Sequence, residues 1–170
     1  DDPDEAAKFF RESMNFDPSF ERPSVALRSL TDKAYNEGNK LLRRGDYEGA
    51  EDYFNKVLDL NPTYYQANFQ LGYLNTKLGD YDLALEHYSK TVEKNPGYSK
   101  GWFALGLTHQ RNGDYDNAIK ALDSAIDADP TYSKALVQKG KILMKQGDYT
   151  TAENAFNQAI QVDPSYSSAY

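Results

Sequence analysis

The side chains that could do acid–base or metal chemistry are few. The chain has two histidines, His87 and His109, and no cysteine. Neither histidine lies beside a plausible Ser or Cys nucleophile, and two histidines without a thiolate do not make a common zinc pattern. The glycines stand singly rather than in a run that could cradle phosphate, so there is no P-loop. Asp127-Ala128-Asp129-Pro130 and the Asp-rich turns lack the ligand order of a calcium loop. Asn61-Pro62-Thr63 has the outline of a glycosylation sequon, but its central proline blocks it. Only Arg44-Gly45-Asp46 remains, a tripeptide that adhesion receptors can read. The expectation is a protein that is not an enzyme, with no catalytic, cofactor or metal residues.

Composition narrows the partners. A chain of 170 residues makes one ordinary domain or a short array of repeats. Only 39% of the residues are hydrophobic, yet there are 14 Tyr and 8 Phe, so burial must lean on aromatic rings. The formal charge of −7 argues against a general nucleic-acid binder, which needs a basic footprint. No apolar run approaches the roughly 18 residues of a membrane helix, and no signal peptide is evident. The chain begins at Asp1 rather than Met. A cytoplasmic protein is favoured, with a periplasmic or exported one left open by that trimmed start.

The elements that carry these residues repeat. Gly-Asp-Tyr recurs at Gly45, Gly79, Gly113 and Gly147, a step of 34 residues each time. The same step links Gly38, Gly72, Gly106 and Gly140, then Ala50, Ala84, Ala118 and Ala152. It also links Pro62, Pro96, Pro130 and Pro164, then Tyr64, Tyr98, Tyr132 and Tyr166. From Thr63 to Lys77 the apolar residues Phe69, Leu71, Tyr73 and Leu74 fall mostly on helical spacing. Gly79 suits the left-handed residue that ends a helix, and Asp80 suits the cap of the next. Ala84, Leu85, Tyr88, Thr91 and Val92 make one face of a second helix, which Pro96 ends. Thr63, Thr131 and Ser165 are expected to cap the helices that follow them. A two-helix hairpin of this kind cannot bury its own apolar face, so its neighbours must stack.

This pattern resembles the tetratricopeptide repeat family. Its marks are the 34-residue period, a Gly, then Gly-Asp-Tyr, an Ala, an aromatic and a closing Pro. The resemblance implies an all-α, right-handed superhelical solenoid of helix-turn-helix repeats. Four full repeats are read as 31–64, 65–98, 99–132 and 133–166. Residues 1–30 form an N-terminal helix or partial repeat with an extension, and 167–170 start a truncated further repeat. Trp102 takes the family's aromatic position in the third repeat, and Phe54, Tyr88, Leu122 and Phe156 take the large apolar position of the second helix. Arg44-Gly45-Asp46 is then one of four equivalent turns, and only this copy has Arg before it. His109 and Asn75 are expected to be packing residues.

The ends are irregular. Asp2, Pro3 and Glu5 suit the start of a capped helix. Ahead of the first full repeat, Val25, Leu27, Leu30 and Ala34 suggest that its first helix starts early, near Ser24; a short separate helix is the alternative. Pro164–Tyr170 leads into another repeat with no polar cap after it, which suggests a fragment of a longer protein or an end that pairs with another chain.

By resemblance, the inner wall of such a solenoid is built mostly by the first helix of each repeat. Its columns are Tyr35, Phe69, Phe103 and Val137; Asn36, Gln70, Ala104 and Gln138; Asn39, Tyr73, Leu107 and Lys141; and Arg43, Lys77, Arg111 and Lys145. Lys100 and Lys134 lie near helix starts. This mixture of rings, amides and cations suits an extended or helical peptide with apolar anchors and acidic groups. Cations in a last helical turn also suit the helix dipole whatever is bound. The family's carboxylate clamp is only partly present. Asn39 and Lys100 match it, but Tyr35, Gln70 and Ala104 stand where it has Lys, Asn and Arg.

The expected function is a non-enzymatic protein–protein interaction module, holding a peptide in the concave groove as scaffold or adaptor. It needs no cofactor, nucleic acid or membrane span. The alternatives are a self-assembly scaffold joined through the solenoid ends, a homo-oligomer, and the regulatory region of a larger protein.

Overall fold

A computed structural model describes residues 21–165. The capped helix expected from Asp2 onward, and the repeat start at residues 167–170, lie outside the described residues. Among the described residues there are eight α-helices and no strand: α1 (Glu21–Arg44), α2 (Tyr47–Leu60), α3 (Tyr65–Leu78), α4 (Tyr81–Lys94), α5 (Ser99–Arg111), α6 (Tyr115–Ala128), α7 (Ser133–Gln146) and α8 (Tyr149–Val162). They form two compact units, divided between Leu74 and Asn75.

The Gly-Asp turn is the same device four times. Gly45, Gly79, Gly113 and Gly147 have φ between 81° and 86°, where an L side chain is strained. At the first turn, the Gly45 N–H donates to the Leu42 carbonyl and the Asp46 N–H to the Leu41 carbonyl. These two bonds close the end of α1 as a Schellman motif. Asp46 then starts α2, its Oδ1 accepting from the Gly49 N–H at 3.0 Å. Asp80, Asp114 and Asp148 do the same for Leu83, Asn117 and Thr151, each at 3.1 Å. Arg44-Gly45-Asp46 is thus a helix–helix turn whose aspartate is held by its own backbone.

The other turn differs from expectation. Thr63 and Thr131 do not cap the following helices. Tyr98 and Tyr132 stand at the cap positions of α5 and α7 with no side-chain bond. The threonine hydroxyls are spent on the preceding turn: Thr63 Oγ1 donates to Asn61 Oδ1 at 2.8 Å, and Thr131 Oγ1 to Asp129 Oδ1 at 2.7 Å. Ser165 repeats this with Asp163 at 2.6 Å. Thr131 stands one residue ahead of the cap position, which Tyr132 fills, so its hydroxyl donates to the Asx residue two positions back instead of accepting from the first turn of α7.

In the first unit, α1 and α2 form a hairpin whose core is Ala34, Ala50, Phe54 and Val57. α3 adds Ala67, Leu71 and Leu74 to that core. Gly38 makes room for the Phe54 ring, which a Cβ built on Gly38 would meet at 2.8 Å. α1 starts at Glu21, so the segment ahead of residue 31 continues the first helix. Val25, expected on its apolar face, is 67% exposed. Leu27 and Arg28 share a depression with Leu60, the last residue of α2, so Val25 projects past the end of its hairpin partner.

In the second unit, α5 pairs with α6 and α7 with α8. Ala118, Leu122 and Ala125 of α6 meet Ala135 and Ile142 of α7, with Trp102 and Phe103 packed at the edge. Leu136, Val137 and Ala159 form a second cluster. The Trp102 indole satisfies its N–H on the Pro96 carbonyl at 2.8 Å.

Candidate functional site

The candidate residues fall in both units, and each unit assembles its share differently. In the first, Tyr35, Asn39 and Gln70 meet. Gln70 Nε2 donates to Asn39 Oδ1 at 2.9 Å and to Tyr35 Oη at 3.3 Å. Asn39 Nδ2 donates back along its own helix to the Tyr35 carbonyl at 2.9 Å. The Tyr35 ring lies 5.9 Å from Phe54 and 5.2 Å from Tyr64, both tilted, so packing fixes the phenol from below. Phe69 is half-buried and Tyr73 is 40% exposed on α3. Asn36, Asn39 and Arg43 border an open depression of about 600 Å³ with Lys33, Glu37 and Lys40.

Tyr64 was not among the expected site residues, although its column repeats in all four copies. Its hydroxyl donates to Asp32 at 3.4 Å. Burial, with the Asp32 charge behind it, pushes the phenol above its ordinary value.

In the second unit, Gln138 Nε2 donates to Gln110 Oε1 at 2.6 Å. Phe103 meets Tyr132 edge-on at 5.2 Å, the counterpart of Tyr35 with Tyr64. Leu107 is half-buried. Val137, expected on the wall, is only 2% exposed and belongs to the core with Leu136 and Ala159. Gln110 was missed because its column, with Leu42, Thr76 and Met144, shares no residue type.

The cations divide. Arg43, Lys77, Arg111 and Lys145 each lie in the last turn of a first helix, where the dipole favours them. Lys145 is engaged: its Nζ donates to Tyr115 Oη and stands 4.8 Å from that ring's centroid. Lys100, Lys134 and Lys141 are exposed. Lys139, which sequence reasoning passed over, reaches Asp123 Oδ1 at 2.6 Å and ties α7 to α6.

His87 is half-buried, and desolvation holds its imidazole below the ordinary value. His109 Nδ1 is buried with no hydrogen-bond partner, 3.5 Å from Asp114 Oδ2. Asn75 is 4% exposed, a core residue. Among the described residues, no cluster of His, Cys, Asp or Glu could hold a metal ion. No helix among them is long and apolar enough to cross a membrane.

Helices joined by Gly-Asp turns, with α2 passing an apolar face to α3 and α6 passing one to α7, define an all-α helical-repeat protein. Sequence profiles described as Tetratricopeptide repeat match residues 35–99, 76–133 and 109–170, running without a break from residue 35 to residue 170. The chain therefore belongs to the tetratricopeptide repeat family, and its fold class is that family's all-α solenoid. Among solved structures, MamA from Desulfovibrio magneticus RS-1 is 26% identical, with TM-score 0.71 over 95% of this chain and 97% of that one. YrrB, described as a TPR protein with an unusual peptide-binding site, is 22% identical, with TM-score 0.70 over 96% of each chain. A tetratricopeptide repeat protein from Parabacteroides merdae is 17% identical, with TM-score 0.75 over 82% of this chain and 56% of that one. No curated protein sequence matches significantly.

Proposed function

We propose that the chain is a non-enzymatic protein-interaction module that takes a peptide segment on the faces of its first helices, as scaffold or adaptor. One observation carries this reading. Gln70 and Gln138 occupy the same repeat position in different units, and each is tethered through Nε2 to an amide of the preceding first helix. That tether leaves Oε1 of each glutamine as an acceptor held in place. An acceptor with a fixed direction suits a peptide N–H, because little side-chain freedom is lost when it binds. Gln70 bonds the half-buried Tyr35, and half-buried Phe103 holds the Tyr35 position of the second unit; such rings suit an apolar anchor.

The charge preference follows from the same groups. With Lys145 engaged by Tyr115, attraction of acidic groups falls to cations such as Arg43 and Arg111, both exposed. The peptide-binding site for which YrrB is described makes peptide capture a known use of this fold.

Selection of short random peptides on the immobilised chain tests the reading. It expects enrichment of sequences with apolar anchors and acidic residues, lost on a Gln70→Ala, Phe103→Ala chain. No enrichment over a blank surface rejects it.

A further inference from the structure

The α5–α6 turn differs from the other Gly-Asp turns in the residue ahead of its glycine. Arg44, Leu78 and Gln146 precede Gly45, Gly79 and Gly147, whereas Asn112 precedes Gly113. No other asparagine of the sequence is followed by glycine. The Cγ of an asparagine lies one short ring from the next backbone nitrogen, and a glycine there has no side chain to crowd the approach. In that arrangement an asparagine can lose its amide without an enzyme. Asn112 and Gly113 are both exposed, so water reaches them.

We propose that Asn112 is a spontaneous deamidation site and that the closed α5–α6 turn restrains the reaction. The Gly113 nitrogen gives up its proton and attacks Cγ of Asn112, ammonia leaves, and a succinimide ring forms. Water then opens either carbonyl of that ring, giving aspartate or isoaspartate. In total, the side-chain amide and one water become a carboxylate and an ammonium ion, with no other reactant. This modification is separate from the peptide capture proposed above and does not rest on it.

The folded turn keeps these atoms out of the reactive geometry. Ring closure needs the Gly113 nitrogen eclipsed with Cβ of Asn112. At ψ 1° it is eclipsed instead with the backbone nitrogen of Asn112 itself. Rotating the Asn112 Cα–C bond to the reactive angle carries Gly113 and Asp114 with it. That rotation breaks the bond from the Gly113 N–H to the Gln110 carbonyl at 3.1 Å, and the one from the Asp114 N–H to the His109 carbonyl at 2.9 Å. Because α6 is packed on α5, it also pulls Asp114 out of its cap, where Oδ1 accepts from the Asn117 N–H at 3.1 Å. The bond made by the Gly113 N–H also holds the hydrogen that must leave. The reaction therefore proceeds from the opened turn, at a rate scaled by how often the turn opens.

The product favours further opening. Isoaspartate routes the main chain through Cβ and Cγ, which adds a bond between α5 and Gly113 and puts both turn bonds out of register. Either product places a negative charge at the C-terminal end of α5, where the helix dipole disfavours it.

The test is incubation of the 170-residue chain in mildly alkaline buffer, folded and in guanidinium, followed by mass spectrometry of the tryptic peptide 112–120. In guanidinium Asn112 should convert ahead of every other asparagine. In the folded chain it should convert at least about tenfold more slowly. Asp114→Ala removes the cap and should shrink the ratio of the two rates. Asp114→Ser keeps a capping oxygen and should restore most of it, so the pair separates the cap from the charge. Circular dichroism checks that both variants are folded. The modified chain, separated by its added charge, should melt below the unmodified one. Equal rates in the two states, faster conversion of another asparagine in guanidinium, a ratio indifferent to Asp114→Ala, or an unchanged melt after modification would each overturn the proposal.

Discussion

Gln70 donates from Nε2 to Oδ1 of Asn39 at 2.9 Å, joining the amides of two successive first helices. Gln70→Ala removes that donor and leaves Asn39 Oδ1 unsatisfied in a half-buried place. The expected cost is about 1 kcal/mol of stability by urea unfolding, together with roughly tenfold weaker peptide binding from the lost acceptor. Unchanged binding of a selected peptide would remove Gln70 from the site.

Gly140→Ala tests the close approach inside the last hairpin. A Cβ there would meet Phe156 Cε1 at 2.6 Å, and a phenyl ring cannot yield as a flexible chain end would. Alanine in a helix gains up to about 1 kcal/mol over glycine, while overpacking costs about 1–3 kcal/mol. At 2.6 Å the clash should win, giving net destabilisation by chemical denaturation. Adding Phe156→Leu should recover much of the loss.

Gly147→Ala fails for a different reason. Nothing lies within 4 Å of its Cβ position, but its φ is 86°. The expected loss is about 1 kcal/mol or somewhat more, with Gly147→Asn milder because asparagine tolerates the left-handed region. By the same logic Arg44→Lys should change neither stability nor binding, since the adjoining Gly45 and Asp46 serve the turn. An adhesion activity lost on that change would contradict this.

Acid should weaken the fold through identifiable groups. The Asn117 side chain first, then its backbone N–H, holds the Asp114 carboxyl below its ordinary 3.8, and Thr151 does the same for Asp148. A lowered folded value means that these caps contribute fully above about pH 3.8. Their contribution is lost as pH falls through the folded values. His87, held low mainly by burial, likewise contributes above its ordinary 6.5 and loses that contribution as pH drops below it. Thermal melts should therefore show Asp114→Asn, which keeps a capping acceptor, flattening the profile below pH 3.8. His87→Gln should flatten it just below pH 6.5. Profiles parallel to the unchanged chain would refute the assignment.

The hairpins and their Gly-Asp turns were legible because each rests on residues close in sequence and repeated four times. Gly45 and Asp46 could be assigned from a single turn. The other turn misled because the cap position falls on the tyrosine column, at Tyr98 and Tyr132, one residue after the threonines, and spacing alone does not fix a helix start to one residue. Val25 and Val137 were misjudged for a related reason. Helical period gives a face, but exposure depends on what packs against it, and Val25 projects beyond α2 while Val137 meets Ala159. The amide pairs lay furthest from reach. Gln110 shares no column, and Gln138 finds it only because two first helices are neighbours in space.

The most direct test of peptide capture is NMR observation of the Gln70 and Gln138 side chains and the backbone amides of Tyr35, Gln70, Phe103 and Gln138 during titration with an enriched peptide. The account predicts saturable shifts at these groups in each unit. Shifts confined to the second helices, at Tyr53, Leu83 or Lys120, with these groups unmoved, would contradict it.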